Sequence, residues 1–195
     1  MSRLMRTSEI SKRPVVTMGG DDVAQIKDVV YAADGGSVRG FTLAGRGLFA
    51  GPLATVLAWG SVAALGADAV MIEDEAALGD AHAIFGAADA PTGPRADVLG
   101  SRVLTDTGTD LGSVVDVIVE VQGAGDAADV VGYEIESSEA MDNSGTRMLM
   151  PLPDTMAASG EHLIVPESAK DFVRHDLAGF GAAVEEFRAQ LAGGR

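Results

Sequence analysis

Hydrophobic positions along this chain fall in short runs separated by turn residues. Pro14 to Thr17 is an extended run that ends at the turn Gly19-Gly20-Asp21-Asp22. Val23 to Ala32 follows, with Val23, Val29 and Tyr31 alternating with polar or small residues, the period-two pattern of a half-buried strand. Asp34-Gly35-Gly36 marks a hairpin turn, because Asp and glycine tolerate positive φ. Val38 to Leu43, Leu53 to Trp59 and Ala69 to Ile72 supply further strands. Five or six short strands with turns every 8–12 residues or so predict a small barrel or sandwich.

The pattern then repeats. Residues 8–32 align without a gap on residues 96–120 at an offset of 88, with Val15 on Val103, Thr17 on Thr105, Gly20 on Gly108, Asp22 on Asp110, Asp28 on Asp116 and Val29 on Val117. After four extra residues in the second copy, Val38-Arg39-Gly40-Phe41-Thr42-Leu43 meets Val130-Val131-Gly132-Tyr133-Glu134-Ile135. With one more residue inserted, Asp68-Ala69-Val70-Met71-Ile72 meets Glu161-His162-Leu163-Ile164-Val165. Apolar positions match apolar ones and the glycines coincide, as two copies of one fold require. The sequence divides into a first domain at 4–78, an Ala/Gly/Pro-rich linker at 79–95, a second domain at 96–167 and a C-terminal helical segment at 168–192. In that last segment Ser168 and Asp171 resemble a capping box. Phe180, Val184, Phe187 and Leu191 form one apolar helical stripe.

The quoted residues resemble the PRC-barrel family, known from the cytoplasmic domain of the photosynthetic reaction-centre H subunit and from the C-terminal domain of the ribosome-maturation factor RimM. The first copy carries the likeness in Ser8-Glu9-Ile10, Pro14-Val15-Val16, Ile26-Lys27-Asp28-Val29-Val30-Tyr31, Val38-Arg39-Gly40-Phe41, Val56-Leu57-Ala58-Trp59-Gly60-Ser61-Val62 and Leu65-Gly66-Ala67-Asp68-Ala69-Val70. The second carries it in Asp97-Val98-Leu99-Gly100, Leu111-Gly112-Ser113-Val114-Val115-Asp116-Val117 and Val131-Gly132-Tyr133, and departs near Met150-Pro151-Leu152-Pro153, where no Trp appears. The resemblance implies an all-β chain of two tandem small PRC-like barrels with a C-terminal helix. Members of the family share no catalytic motif and serve different assemblies, so it implies a fold more than an activity.

Composition narrows the function classes. Aromatics are 5% of the chain against 47% hydrophobic residues, so large side chains suited to anchoring a partner are few. The net charge is −15. It divides as 7 basic and 11 acidic side chains over residues 1–93, and 7 and 18 over residues 94–195. Such a surface opposes direct nucleic-acid contact, which relies on clustered Lys and Arg. The chain has no cysteine, which excludes disulfides, thiolate nucleophiles and Cys-ligated metals. The first nine residues lack the apolar core of a signal peptide, and a cytoplasmic location is expected. The 21 uncharged residues between Arg46 and Asp68 are long enough to span a bilayer. They contain four glycines and Pro52, however, and their counterpart in the second copy holds Arg147, Asp154 and Glu161, so strands and not a transmembrane segment are expected there.

The chain offers little in the way of catalytic or metal-binding patterns. His82, His162 and His175 stand at no ligand spacing to one another. The run beginning at Asp106 places Gly108 at the third position of a calcium loop, Leu111 at its glycine position and Val117 at its twelfth, and a simple turn describes it better. Gly45-Arg46-Gly47-Leu48-Phe49-Ala50-Gly51 misses the dinucleotide fingerprint by one residue. Glu134, Glu136, Glu139 and Asp142 read as a solvated strand face and its turn. The expectation is a non-enzyme without cofactor or bound metal, acting as a protein-interaction or scaffold module on protein partners, with self-association into a homo-oligomer left open. The alternative is a ribosome-maturation or RNA-processing accessory factor of the RimM type. Arg46, Phe49 and Trp59, with Phe180 and Phe187 on the stripe, are the expected interaction residues, since Trp and Arg are over-represented at binding hot spots. Trp59 also fits a barrel core or end plug.

Overall fold

Turn chemistry starts each half in the same way. The Thr17 hydroxyl accepts the Asp21 amide at 3.1 Å, while the Gly20 amide reaches the Thr17 carbonyl at 2.9 Å with Gly20 at φ 94°. In the second half the Thr105 hydroxyl accepts the Thr109 amide at 2.9 Å, and Gly108 sits at φ 89°. A side chain with a Cβ is strained at these angles, and for that reason glycine stands at both positions.

The computed structural model describes residues 3–32, 35–47, 50–89, 98–141, 144–152, 157–158 and 161–193. The first half supplies strands β1 (Arg3–Arg6), β2 (Pro14–Thr17), β3 (Asp22–Tyr31), β4 (Val38–Ala44), β5 (Pro52–Ala58), β6 (Val62–Leu65), β7 (Val70–Ile72) and β8 (Leu78–Asp80), then helix α1 (Ala81–Asp89). The second half supplies β9 (Arg102–Thr105), β10 (Asp110–Val121), β11 (Ala128–Ser137), β12 (Arg147–Pro151), β13 (Ala157–Ala158) and β14 (His162–Val165), followed by helix α2 (Leu177–Gly193).

The fold is mostly β and comprises two seven-stranded sheets. One runs β6-β7-β2-β3-β4-β5-β8, and the other runs β13-β14-β9-β10-β11-β12 with β1 added to β10. Six strands therefore follow the same order in each. Register agrees as well: Val15 pairs Ala24 and Val16 pairs Asp22 across a bulge, as Val103 pairs Gly112 and Leu104 pairs Asp110. The parallel pair Val15–Val70 has its counterpart in Val103–Leu163.

The chain forms two units that are not contiguous in sequence. The first holds Met1–Arg3, Thr7–Ala96 and Glu120–Asp129, and the second holds Leu4–Arg6, Asp97–Val119 and Val130–Arg195. In the first unit Val30, Val56 and Phe85 form a buried cluster lined by Ala81 and Ile84. In the second unit Ile118, Val131, Leu149, Phe180 and Val184 do the same, lined by Leu4 and Leu177. Val30 and Ile118 are equivalent by the sequence offset, and Phe85 and Phe180 occupy the same place. A Cβ on Gly40 would collide with the Leu57 carbonyl and the Phe85 ring, and a Cβ on Gly132 with the Met150 carbonyl and the Phe180 ring. Each strand glycine thus makes room for an aromatic ring from the helix that follows its sheet.

Several expectations change. The 79–95 linker begins as structure: β8 pairs β5, and α1 carries the buried Phe85. Residues 90–95 lie outside the described residues. Ser168 does not start the terminal helix but lies within a 3-10 segment, Glu167–Phe172, that has no side-chain cap. The helix begins at Leu177, and the Asp176 carboxylate accepts the Gly179 amide at 2.8 Å there, which satisfies one orphan amide of the first turn. Phe180, Val184 and Phe187 are buried along α2 as the spacing predicts. The Leu191 side chain lies outside the described residues. Trp59 opens a short 3-10 turn, Trp59–Ser61, after the strand ends at Ala58. The uncharged stretch after Arg46 contains β5 and β6, and among the described residues no helix is long and apolar enough to cross a membrane.

Burial has a titratable consequence in the second unit. Tyr133 is 5% exposed, and desolvation pushes its phenol up to about 12 from an ordinary 10.0. The folded state holds this proton more tightly than the unfolded state, so stability is intact below pH 10 and falls as pH rises through 12. The total loss is about 2–3 kcal/mol. Urea melts between pH 9 and 12 should show this decline, and Tyr133→Phe should flatten it. An equally steep decline in the variant would assign it to other groups.

Candidate interaction surface

The connection between β4 and β5 is the stretch that the sequence marks for binding. It closes through the Gly45 amide donating to the Gly51 carbonyl at 3.0 Å, with Gly47 at φ 100°. Leu53 comes over Gly45 and stays 38% exposed, a large apolar side chain left in water. Arg46 extends outward with its side chain 61% exposed, its Nε 3.2 Å from the Asp22 carboxylate at the start of β3. An ion pair this open contributes about 0–1 kcal/mol, so fold stability makes little demand on Arg46. Asp22 uses Oδ2 in that pair, and its Oδ1 is enclosed without a hydrogen-bond partner. At the matching bulge of the second unit, Asp110 Oδ1 accepts the Gly112 amide at 3.0 Å and Oδ2 takes Arg102.

The other expected interaction residues are not brought together here. Phe49 lies outside the described residues. Trp59 is 4% exposed, tilted against Phe41 with ring centroids 5.8 Å apart, and its indole N–H donates to the Asp126 carbonyl at 2.9 Å. Asp126 lies in the 120–129 segment of the first unit, the tip of the β10–β11 hairpin that the extra residues of the second copy lengthen. Phe180 and Phe187 are fully buried, with Phe187 tilted on Phe172 at 5.0 Å. These three side chains are core and present no surface to a partner; water exclusion around large rings outweighs any anchoring role in the free chain.

Glu134 corrects the reading of a solvated acidic face. It is 3% exposed on β11, and its Oε1 accepts Arg6 Nη2 at 2.8 Å and Arg6 Nε at 3.1 Å, while Arg147 Nη1 approaches Oε2 at 3.4 Å. A carboxylate removed from water needs such partners. Glu136, two residues on, is exposed, and Asp142 lies outside the described residues. Sequence reasoning passed over Arg6. Its one signal is the apolar pair Leu4-Met5 flanked by Arg3 and Arg6 ahead of the first strand of the repeat.

In the second unit Glu167 is half-buried and held by Lys170 and by Thr107, whose hydroxyl donates to it at 2.6 Å. Hydrogen bonds from Lys170, Thr107 and Thr105 bring its carboxyl down to about 2. Asp106 meanwhile accepts the Glu167 amide at 3.0 Å, so the run read as a failed calcium loop fastens the segment after β14. Among the described residues no group of three or more His, Asp or Glu side chains is placed to hold a metal ion. His82 lies on α1 and His162 on β14.

Residues 3–78 match the PRC-barrel domain family, so a PRC-barrel domain occupies the first part of the chain. No curated protein matches the chain.

Proposed function

We propose, on the premise of the PRC-barrel domain at residues 3–78, that the whole chain is a non-catalytic protein-interaction or scaffold module of two PRC-barrel units. The family match carries the reading. The shared strand order, the matching bulges and the paired Gly40/Phe85 and Gly132/Phe180 contacts support extending it to the second half. The partner is a protein, and the β4–β5 connection with Arg46 and Leu53 is the face that meets it: an arginine spared by the fold beside an exposed leucine resembles the centre of a small binding patch.

The test is affinity capture from the native host with mass spectrometry, run in parallel on the wild type and on Arg46→Glu/Leu53→Asp. The wild type should retain one defined set of proteins, and the variant should lose them at least about tenfold, more than 1.4 kcal/mol of binding, with an unchanged melting temperature. Equal recovery by both chains would move the site elsewhere. Recovery of nothing above a control column would overturn the reading. Cosedimentation with ribosomal subunits would favour a RimM-type role, against which the net charge of −15 weighs.

A further inference from the structure

One backbone turn is built in both units with different side chains. In the second unit Gly100, at φ 83°, donates its amide to the Val114 carbonyl at 2.8 Å. The Val114 amide returns to the Ser101 carbonyl at 2.9 Å, and the Ser101 amide reaches the Val98 carbonyl at 3.2 Å. In the first unit Lys12, at φ 70°, donates to the Ile26 carbonyl at 2.9 Å, the Ile26 amide returns to Arg13 at 2.9 Å, and the Arg13 amide reaches Ile10 at 3.2 Å. The turn is therefore complete with Gly-Ser and needs no charge. A lysine there crowds its Cβ against the following carbonyl, a strain that glycine escapes. Among the described residues Lys12 is the one residue other than glycine at positive φ. Its side chain is exposed and, among the described residues, enters no ion pair or hydrogen bond. Arg13 beside it is 8% exposed, with Nη1 on the Gly66 carbonyl. Burial, and then the charge of Arg3 at the start of β1, hold the Arg13 guanidinium below its ordinary pKa, while Glu9 and Asp68 act the other way. Arg3 is itself exposed.

We propose that Lys12, with Arg13 and Arg3, forms a contact for a carboxylate-bearing segment of a protein partner. A strained residue where glycine would serve marks a side chain held for what it binds and not for the fold. An ammonium with no partner of its own, beside a guanidinium, takes a carboxylate through charge-assisted hydrogen bonds. The net charge of −15 turns away long polyanions such as nucleic acid or an anionic membrane, and a short acidic segment is the anion that remains. The contact lies outside the β4–β5 connection, and it rests on the interaction-module reading only in taking the partner to be a protein.

The probe is a tetraglutamate peptide, with tetraglutamine as its uncharged control, titrated into the isotope-labelled full chain and followed by amide chemical shifts. Tetraglutamate should shift the amides of Lys12, Arg13 and Gly66, and tetraglutamine should leave them in place. Lys12→Gly should weaken binding at least about fivefold, while its melting temperature holds or rises because the turn gains the residue its backbone favours. Lys12→Gln, which keeps the strained backbone without the charge, should weaken binding as much. Absence of shifts at these amides, shifts spread equally to Lys27 and Arg46, or full binding by either variant would overturn the proposal. So would a lower melting temperature for Lys12→Gly, which would make the lysine part of the fold. None of these titrations depends on capture at Arg46 and Leu53, so the two readings fail separately.

Discussion

Phe180→Ala should lower the free energy of unfolding by about 3–5 kcal/mol, the range for truncating a fully buried phenylalanine. The ring lies on Gly132 at the centre of the second unit's helix-facing cluster, with Ile118, Val131, Leu149 and Val184 around it. Removing it leaves a cavity that backbone cannot fill, because β11 and β12 are held by their ladder from Gly132–Pro151 to Glu136–Arg147. Phe187→Ala, further along the same helical stripe and fully buried against Phe172, should cost about 3 kcal/mol. Urea denaturation measures both, with analytical ultracentrifugation on the same samples. A stripe serving a partner would leave the monomer's melting unchanged and weaken association instead. A change below about 1 kcal/mol in both variants would reduce the helix to an appendage.

Trp59→Ala carries the second large expected effect, about 3–5 kcal/mol, since the indole is 4% exposed and packs against Phe41. Trp59→Phe separates shape from hydrogen bonding. It keeps most of the packing but removes the 2.9 Å donor to the carbonyl of the exposed Asp126, where water can take its place, a loss of about 0.5–1.5 kcal/mol. Asp126→Ala retains that carbonyl and should change stability little. Trp59 is the single tryptophan of the chain, so melts of the Trp59 variants are followed by circular dichroism and those of Asp126→Ala also by fluorescence. If Trp59→Ala proved stable while partner capture fell, Trp59 would be an interface anchor and the core assignment wrong.

Much of the secondary structure was legible along the chain because its causes are local. The Thr17 and Thr105 turns, the strand pattern of β4 and the 4-3 spacing of Phe180, Val184 and Phe187 along α2 each depend on residues within about ten positions of one another. On β3 the expected alternation of Val23, Val29 and Tyr31 gives way to a core face of Ala24, Ile26 and Val30, with a bulge between Ile26 and Asp28 shifting its register. The likeness between the two halves was legible for a related reason. A shared strand order places similar demands on apolar and glycine positions, and the Gly20/Gly108 and Gly40/Gly132 pairs are backbone requirements that few substitutions satisfy. Helix α1 was missed because its Ala/Gly-rich sequence has weak periodicity, and only Phe85 packing on Gly40 gives it a place.

What the tertiary structure alone decided are the contacts between distant residues. Glu134 carries the same alternation as any exposed strand carboxylate, and its burial follows from Arg6, 128 positions away. The core position of Trp59 depends on a carbonyl 67 positions away. The choice between Ser168 and Asp176 as the residue that starts helical structure was set by where the chain must turn after β14, with Asp106 holding Glu167 from 61 positions away. A sequence pattern specifies which face of a strand is apolar; which neighbour arrives to cover that face, and whether a charge beside it meets water or an arginine, is settled only when the chain closes those long loops.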